Sequence, residues 1–170
     1  MSEPEPVPAE DFKRALARHA SGVTVVSVRD GRDDIGTTVT AFASVSAEPP
    51  LVLVSIAADS YLDEVLDRQD RWAVSLLAAD QTPVASRFAM PGRPSGRLLL
   101  ANVAHHRGQV SDALIIDDGV AALECSTHHS MAAGDHTLRL GLVLRVDYVD
   151  PKARPLLHLD RRYHGHTPRP

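Results

Sequence analysis

Four hydroxyl side chains at even spacing are the first feature of this chain that could do chemistry. Thr38, Thr40, Ser44 and Ser46 alternate with apolar residues in the stretch GTTVTAFASVSAEPP at 36–50. An extended segment points alternate residues to opposite faces, so we expect one polar face and one core face. A buried hydroxyl without a partner costs about 1–3 kcal/mol, and a phosphate, a ribityl chain, the edge of a heterocycle or water on an exposed sheet face would each supply one.

A glycine, an aspartate and a histidine form a second candidate. In Gly134-Asp135-His136, an Asp beside a Gly is typical of a tight turn, and a lone His in a turn is more often structural than catalytic. The histidine pairs at 105–106 and 128–129 could indicate a metal. Because neighbouring side chains on a strand point to opposite faces, we expect no metal site there.

Three segments, in order, carry a resemblance to a known family. The first is FKRALARHASGVTVV at 12–26, a short amphipathic helix that runs into a β-branched strand, and the second is the hydroxyl stretch with its double proline. The third is Leu123-Glu124-Cys125 followed by GDHTL at 134–138. Together they resemble the flavin reductase-like (FMN-binding split barrel) family, the short-chain NAD(P)H:flavin reductase components of two-component flavin-dependent monooxygenases. The resemblance covers roughly residues 12–164.

The resemblance implies a fold, an assembly and cofactors. It implies a mainly β protein, an antiparallel split β-barrel with Greek-key order and a few flanking helices, assembled as a homodimer. The cofactors would be FAD or FMN together with NADH or NADPH. The domain limits expected from the sequence are a flexible arm at 1–8, the split-barrel domain at 9–164 and a tail at 165–170.

The resemblance also assigns site residues. It places the hydroxyl stretch along the flavin and His136 beside the nicotinamide, as the catalytic residue. Departures from the family pattern occur at Asp59 and Tyr61, where a Lys, an Arg or a second hydroxyl often accompanies the phosphate-binding serine, and at Ser75, where Asn is common. The implied cofactor-binding residues are Thr38, Val39, Thr40, Ala41, Ser44, Val45, Ser46, Ser55, Ser60, Ser75, Phe88, Asp135 and Tyr163.

The implied activity is that of an NAD(P)H:flavin oxidoreductase that releases its product. Hydride would pass from NADH to a flavin, and the reduced flavin would then leave for a partner monooxygenase. The alternative is a flavin-binding split-barrel protein without reductase activity, acting as a cofactor-binding or docking module. His136 and Tyr163 favour the reductase, since a mere binder has no need of them.

Four arginines in the second half of the chain leave two interpretations open. They could solvate a loop, or they could meet the pyrophosphate of FAD or NADH. These are Arg87, Arg93, Arg97 and Arg107.

The composition of the chain argues against several classes of protein. The chain has 170 residues and a net charge of −4 with no run of Lys or Arg, which argues for a single domain and against non-specific nucleic-acid binding. The single cysteine, Cys125, excludes an intramolecular disulfide and suits a reducing cytoplasm. The sequence shows no signal peptide and no run of about 18 apolar residues, so neither secretion nor membrane insertion is expected.

The local patterns predict the elements that position these residues. Helical spacing predicts helices at 9–19, 62–66 and 80–89, with Asp59 or Ser60 capping the second and Asp80 the third. Strands are predicted at 23–28, 36–46, 51–56, 72–77, 120–125 and 137–149, with 51–56 in the middle of the sheet. Residues 90–109 are predicted to form a long irregular excursion.

Overall fold

The computed structural model describes residues 5–165. Residues 1–4 of the expected arm and 166–170 of the expected tail lie outside the described residues. Within 5–165 the chain forms four helices and twelve strands. In chain order they are α1 Ala9–Leu16, β1 Ser21–Gly22, β2 Thr24–Asp30, β3 Asp33–Val39, β4 Phe42–Ala47, β5 Pro50–Ala57, α2 Tyr61–Arg68, β6 Arg71–Leu76, α3 Thr82–Ala89, α4 Gly96–Leu99, β7 His105–Arg107, β8 Leu114–Ile116, β9 Ala121–Ala133, β10 His136–Val149, β11 Leu156–Leu159 and β12 Arg162–Gly165.

An antiparallel sheet of seven strands forms the body of the fold, in the order β3-β2-β6-β9-β10-β5-β4. A three-stranded sheet, β1-β11-β12, and a two-stranded one, β7-β8, lie beside it. The strand predicted at 51–56 is β5, and its predicted place in the middle of the sheet is wrong, because β5 lies next to the edge strand β4. Its burial alternates along its length, as expected for a strand with one face in the core.

The hydroxyl stretch does not form one strand. It breaks at Thr40 and Ala41 into β3 and β4, which lie on opposite edges of the seven-stranded sheet. A second irregularity is a register shift between Ser44 and Ser46, which changes the face of the sheet to which alternate residues of β4 point. The predicted single polar face is therefore wrong, since the alternation runs through only part of the stretch. The two residues at the break carry the chain from one sheet edge to the other.

The core has two parts because β2 is buried on both faces. Val26 and Val28 contribute to an apolar cluster with α2 and the buried ring of Trp72. Val23 and Val25, which point the other way, join a cluster with α3, α4, β8 and β11. The continuous apolar run that predicts this strand is the pattern of a strand covered on both sides.

A buried ion pair connects α2 to β10. Arg139 is 1% exposed, and its Nε donates to Asp63 Oδ1 at 2.8 Å while its Nη2 donates to Asp63 O at 2.9 Å and Asp67 Oδ1 at 2.8 Å. The hydroxyl of Thr137 donates to the other oxygen of Asp63 at 2.8 Å. The pair therefore fixes the N-terminal half of α2 against the start of β10.

A second buried carboxylate holds the 90–109 excursion against the sheet. Asp34 on β3 has a side chain only 3% exposed and accepts two hydrogen bonds from Arg107, at 2.7 and 2.9 Å. Arg97 approaches the same carboxylate at 3.2 Å. The excursion, predicted to be irregular, contains the short α4 and the strand β7.

Glu124 and Cys125 are neighbouring buried groups on β9. Glu124 Oε2 accepts hydrogen bonds from the backbone N–H of Val110 at 2.8 Å and of Ser111 at 2.6 Å, and from the Ser111 hydroxyl at 2.7 Å. Burial opposes the charged form, but these hydrogen bonds outweigh it and lower the pKa of Glu124. Burial, together with the charge of Glu124, raises the pKa of Cys125 to about 12, so its sulfur carries a proton at neutral pH.

Two helix ends differ from the sequence prediction. α1 ends at Leu16 instead of continuing to residue 19, and beyond its end the carbonyl of Ala17 accepts a hydrogen bond from Asp160 N at 2.8 Å. α3 begins at Thr82, so Asp80 is not its cap. Ser60 is confirmed as the cap of α2, accepting from Asp63 N at 3.2 Å.

None of the helices within 5–165 has the length and apolar character needed to cross a membrane.

Removing Arg139 should strongly destabilise the fold. In the Arg139→Ala variant the Asp63 carboxylate stays buried without its charged partner, which costs about 3–5 kcal/mol of unfolding free energy. Urea denaturation followed by circular dichroism measures the loss. The matched control is Arg68→Ala, which breaks pairs with Asp30 and Glu64 at the surface and should reduce the unfolding free energy far less. Equal losses in the two variants would contradict the importance assigned to the buried pair.

His106 should make stability depend on pH. Its Nδ1 contacts Asp117 at 2.5 Å and its Nε2 contacts Asp147 at 2.9 Å, and Arg145 Nε lies 3.5 Å from Asp147. Burial opposes the charged imidazolium, but the two carboxylates outweigh it and raise the pKa of His106 above 6.5.

Because the folded pKa is the higher one, this stabilisation is complete below pH 6.5 and is lost as the pH rises through the raised pKa. We expect the free energy of unfolding to decrease between about pH 6 and about pH 9 in the wild type, and to decrease less in His106→Gln. Urea midpoints at both pH values measure this difference. Parallel pH profiles of the two proteins would be inconsistent with the assignment.

Candidate functional site

The larger of two grooves lies beside the break in the hydroxyl stretch. This cavity, the α1 groove, has a volume of about 950 Å³. One wall is α1 with the residues that follow it, and His158 and Arg161 of the adjoining β11–β12 hairpin also line the cavity. The floor is neutral and is formed by residues 40–43 with Leu53 and Ser55.

A smaller groove of about 610 Å³, the Ser60 groove, lies at the beginning of α2. It is lined by residues 59–61, by the start of β3 including Gly36, and by the loop 91–95. Arg93 in that loop is half-buried; its Nε donates to Gly36 O at 2.5 Å and its Nη1 to Met90 O at 3.3 Å. Burial lowers the pKa of Arg93 from its ordinary value, but a guanidinium remains charged at neutral pH.

The two grooves lie along the same pair of chain segments. On the β3 side, Gly36 lines the Ser60 groove and Thr40 lines the α1 groove. On the β5 side, Ser60 lines the Ser60 groove and Ser55 lines the α1 groove. Cα atoms of β3 and β5 approach within 8 Å although the strands do not pair. Gly36 and Thr40 are four residues apart, and four residues of extended chain span about 13 Å. The Ser60 groove is therefore about 13 Å from the neutral floor of the α1 groove along this segment.

His136 and Asp135 lie at the tip of the β9–β10 hairpin. His136 Nδ1 contacts Asp135 Oδ1 at 2.7 Å, and Asp135 O accepts a hydrogen bond from Ala58 N at 3.1 Å, just before Ser60. The hydrogen bond with His136 lowers the pKa of Asp135, and the charge of Lys13, which lines the α1 groove, lowers it further. An Nδ1 that donates to a carboxylate leaves the Nε2 of His136 for another partner.

The predicted cofactor contacts divide between groove-lining and other positions. Thr40, Ala41 and Ser55 lie together in the α1 groove, and Ser60 lies in the other groove. Three predicted contacts lie instead on the edge strand β4, and neither groove includes them. These are Ser44, Val45 and Ser46.

Several predicted contacts are already engaged within the fold. Ser75 is 1% exposed, and its hydroxyl accepts a hydrogen bond from Ile116 N at 3.0 Å. Phe88 is 2% exposed and packs in the second core cluster. Val39 is also buried, and Thr38 donates from its hydroxyl to Ala85 O at 2.6 Å. We therefore leave Ser75 and Phe88 out of the proposed site.

Tyr163 lies behind the α1 groove. Its half-buried ring packs against the second core cluster, and its centroid is 5.6 Å from that of His158, which lines the groove. Burial raises the pKa of Tyr163. In this structure Tyr163 supports a groove residue.

Three of the four arginines considered as anion partners have structural roles. Arg97 and Arg107 pair with Asp34, and Arg87 donates to Leu99 O at 3.1 Å. Arg93 is the member of that set that lines a groove. Within residues 5–165, no three His, Cys, Asp or Glu side chains are arranged to hold a metal ion.

Sequence reasoning missed two features of this site. Arg161 and His158 come from the short β11–β12 hairpin. No local sequence pattern indicates that this hairpin packs onto α1. The Arg139–Asp63 pair joins residues 76 positions apart, and nothing in the periodicity of either element indicates it.

Comparison with known proteins finds relatives along most of the chain. The sequence profile of the flavin reductase like domain matches residues 16–167. The reductase component of 4-hydroxyphenylacetate 3-monooxygenase from Thermus thermophilus is 40% identical over 154 residues, which cover 91% of this chain and 94% of that protein. An NADH-dependent FMN reductase from Streptomyces nodosus subsp. asukaensis is 36% identical, over 87% of this chain and 80% of that protein.

A solved structure shares the whole architecture. The NADH:FAD oxidoreductase of Streptomyces globisporus, in complex with NAD and FAD fragments, superposes with a TM-score of 0.87 at 33% identity, covering 97% of this chain and 98% of that one. The predicted antiparallel split β-barrel is confirmed. This chain therefore belongs to the flavin reductase-like family.

Proposed function

We propose that this chain transfers hydride from NADH to FAD or FMN and releases the reduced flavin to a partner monooxygenase. The observation that carries the proposal is the pair of grooves on the β3 and β5 segments. One has a neutral floor of hydroxyls and amides below a rim with Lys13 and Arg161, and the other has Arg93 beside the Ser60 cap. The relatives named above are NADH-dependent flavin reductases or a monooxygenase reductase component.

The flavin ring fits the neutral floor at residues 40–43 and Ser55. Backbone amides and hydroxyls match the alternating donors and acceptors of a flavin without adding charge. The separation of about 13 Å between the two grooves is comparable with the distance between the far edge of a flavin ring and its ribityl phosphate. The ring then lies in the α1 groove and the phosphate in the Ser60 groove.

The phosphate has two kinds of ligand in the Ser60 groove. Ser60 caps α2, whose first turn carries free backbone N–H groups. Arg93 uses its Nε and Nη1 for the hydrogen bonds to Gly36 and Met90. Among the described residues its Nη2 makes no hydrogen bond, so both N–H groups of Nη2 can donate to a phosphate. Asp59, which departs from the family pattern, lies in the same groove, so the arginine offsets an acidic neighbour.

The chain's own residues orient the reactants, while the flavin, when bound, supplies the electron-accepting chemistry. His136 is held by Asp135 at the hairpin tip, which contacts Ala58 and lies outside the lining of both grooves. There its Nε2 would hydrogen-bond the carboxamide of a dihydronicotinamide. The chain's own contribution to the rate would be to hold the two rings in near-attack geometry. No residue needs to take up or give a proton in the transfer itself.

We propose a second copy of this chain as the partner on the outer surface. α1 has apolar residues along one side, but none of its side chains is buried, and Phe12 is 56% exposed. On β4 and β10, Val45 is 51% and Val146 54% exposed. A contiguous apolar patch on the surface is typical of an interface between proteins, and the proposal requires that these side chains be covered together in a dimer. The single thiol, Cys125, suits a reducing compartment such as the cytoplasm.

NADH oxidation in air tests the proposal. The purified protein should consume NADH, followed by its near-ultraviolet absorbance, rapidly only when FAD or FMN is added. His136→Ala should lower kcat/KM for NADH by about 10²-fold or less, with flavin affinity unchanged, because it removes a hydrogen bond that positions the donor. His128→Ala, an exposed histidine on β9, serves as control. Flavin binding without NADH oxidation would favour the binding or docking module.

Arg93 should distinguish phosphorylated from unphosphorylated flavins. Arg93→Ala removes a charge-assisted hydrogen bond and should weaken FMN and FAD binding about 10–100-fold. Riboflavin, which lacks the phosphate, should bind both proteins equally. Fluorescence quenching titrations measure these affinities, with Arg154→Ala as a surface variant of equal charge change. Loss of riboflavin binding as well would show that Arg93 holds the loop and does not bind phosphate.

A further inference from the structure

The β11–β12 hairpin has an unusual turn. Leu159 pairs with Arg162, so the turn contains two residues, Asp160 and Arg161. Their φ values are +51° and +60°, in the left-handed region. A two-residue turn of this kind ordinarily has Asn or Asp followed by Gly, because a Cβ is strained there. Arg161 occupies the position that favours glycine.

The turn is fastened to α1, so Arg161 has a defined place. Asp160 N donates to Ala17 O at 2.8 Å, and the Asp160 carboxylate pairs with Arg18 Nη1 at 2.6 Å. These contacts attach the hairpin to the end of α1 and hold the turn at the rim of the α1 groove, which Arg161 lines.

The rim of the α1 groove is positively charged and partly unpaired. Among the described residues, Arg161 makes no side-chain hydrogen bond or ion pair, whereas Lys13 pairs with Glu10 at 3.3 Å. Glu10 contributes the sole carboxylate that lines this groove in residues 5–165. A guanidinium without a partner among residues 5–165, carried by a strained turn on the lining of a groove of about 950 Å³, is an arrangement suited to an anionic ligand.

We propose that Arg161 binds the diphosphate of the nicotinamide dinucleotide. The inference rests on the proposed function and adds a determinant of donor binding to it. The flavin phosphate is assigned to Ser60 and Arg93, in the other groove, so the cation at the rim of the α1 groove is left for the second nucleotide. The chain has no G-x-G-x-x-G loop to hold a dinucleotide, so its diphosphate needs side-chain ligands. A guanidinium can meet two phosphate oxygens at once.

Arg161 is a positioning residue, remote from the transferred hydride. Its contact with the diphosphate is equally strong in the ground state and in the transition state. It therefore lowers KM for NADH and leaves kcat unchanged. Because the contact is electrostatic and exposed, it weakens with salt.

The test compares donors with and without phosphate. At saturating FMN, Arg161→Gly should raise KM for NADH about tenfold and leave kcat within about twofold, with Arg161→Lys in between. Turnover of reduced N-benzylnicotinamide, which has no phosphate, should be equal in all three proteins. Glycine also relieves the left-handed turn, so Tm should rise by about 2–4 °C in Arg161→Gly. Arg162→Ala, its exposed neighbour, is the control of equal charge change.

Three results would overturn the inference. An unchanged KM for NADH would show that Arg161 binds no donor phosphate. An equal loss with reduced N-benzylnicotinamide would show a structural role. Weaker binding of FAD with unchanged FMN affinity and unchanged KM for NADH would assign the diphosphate to the flavin. A wild-type protein that consumes no NADH would instead contradict the proposed function itself.

Discussion

The site depends on one buried ion pair. Arg139 and Asp63 lie three residues after His136 on β10 and three residues after Ser60 on α2, respectively. An arginine that is 1% exposed cannot remain in the core without its carboxylate, since an unpaired buried charge costs several kcal/mol. The pair therefore sets the spacing between the hairpin tip that carries the histidine and the helix end that carries the capping serine. The positions of His136 and Ser60 are therefore both set by the Arg139–Asp63 pair.

A second constraint is that the seven-stranded sheet has two edges which the same stretch of chain must reach. β3 is at one edge and β4 is at the other, and Thr40 with Ala41 forms the crossing. At the crossing Ala41 O accepts a hydrogen bond from Ser55 N at 3.0 Å, and the other backbone groups of Thr40 and Ala41 lie outside the strand ladders. At this point the polar backbone faces a cavity, which is the condition for recognising a ligand by amides. The two residues that connect the opposite edges of the sheet therefore also form part of the floor of the α1 groove.

Sequence patterns predicted the elements well where burial is simple. β2, α2 with its Ser60 cap and the helix α3 follow from local periodicity and capping. The break at Thr40 could not be predicted, because alternation continues through it and only pairing with different partners reveals it. Ser75 looked like a groove residue by its place in the family pattern, yet its hydroxyl serves Ile116. Arg161 and Arg139 act through contacts with distant elements, and no window along the chain contains both partners.

The state of Cys125 has a chemical consequence for a protein that makes reduced flavin in air. Reduced flavin that escapes capture reacts with oxygen and yields hydrogen peroxide, which attacks sulfur chiefly as thiolate. With complete burial and a pKa of about 12, Cys125 stays a protonated thiol out of reach of the peroxide. Oxidative damage is then directed to the thioethers of Met90 and Met131, which are 48% and 53% exposed, and there the lesion is a surface sulfoxide that leaves the core packing intact.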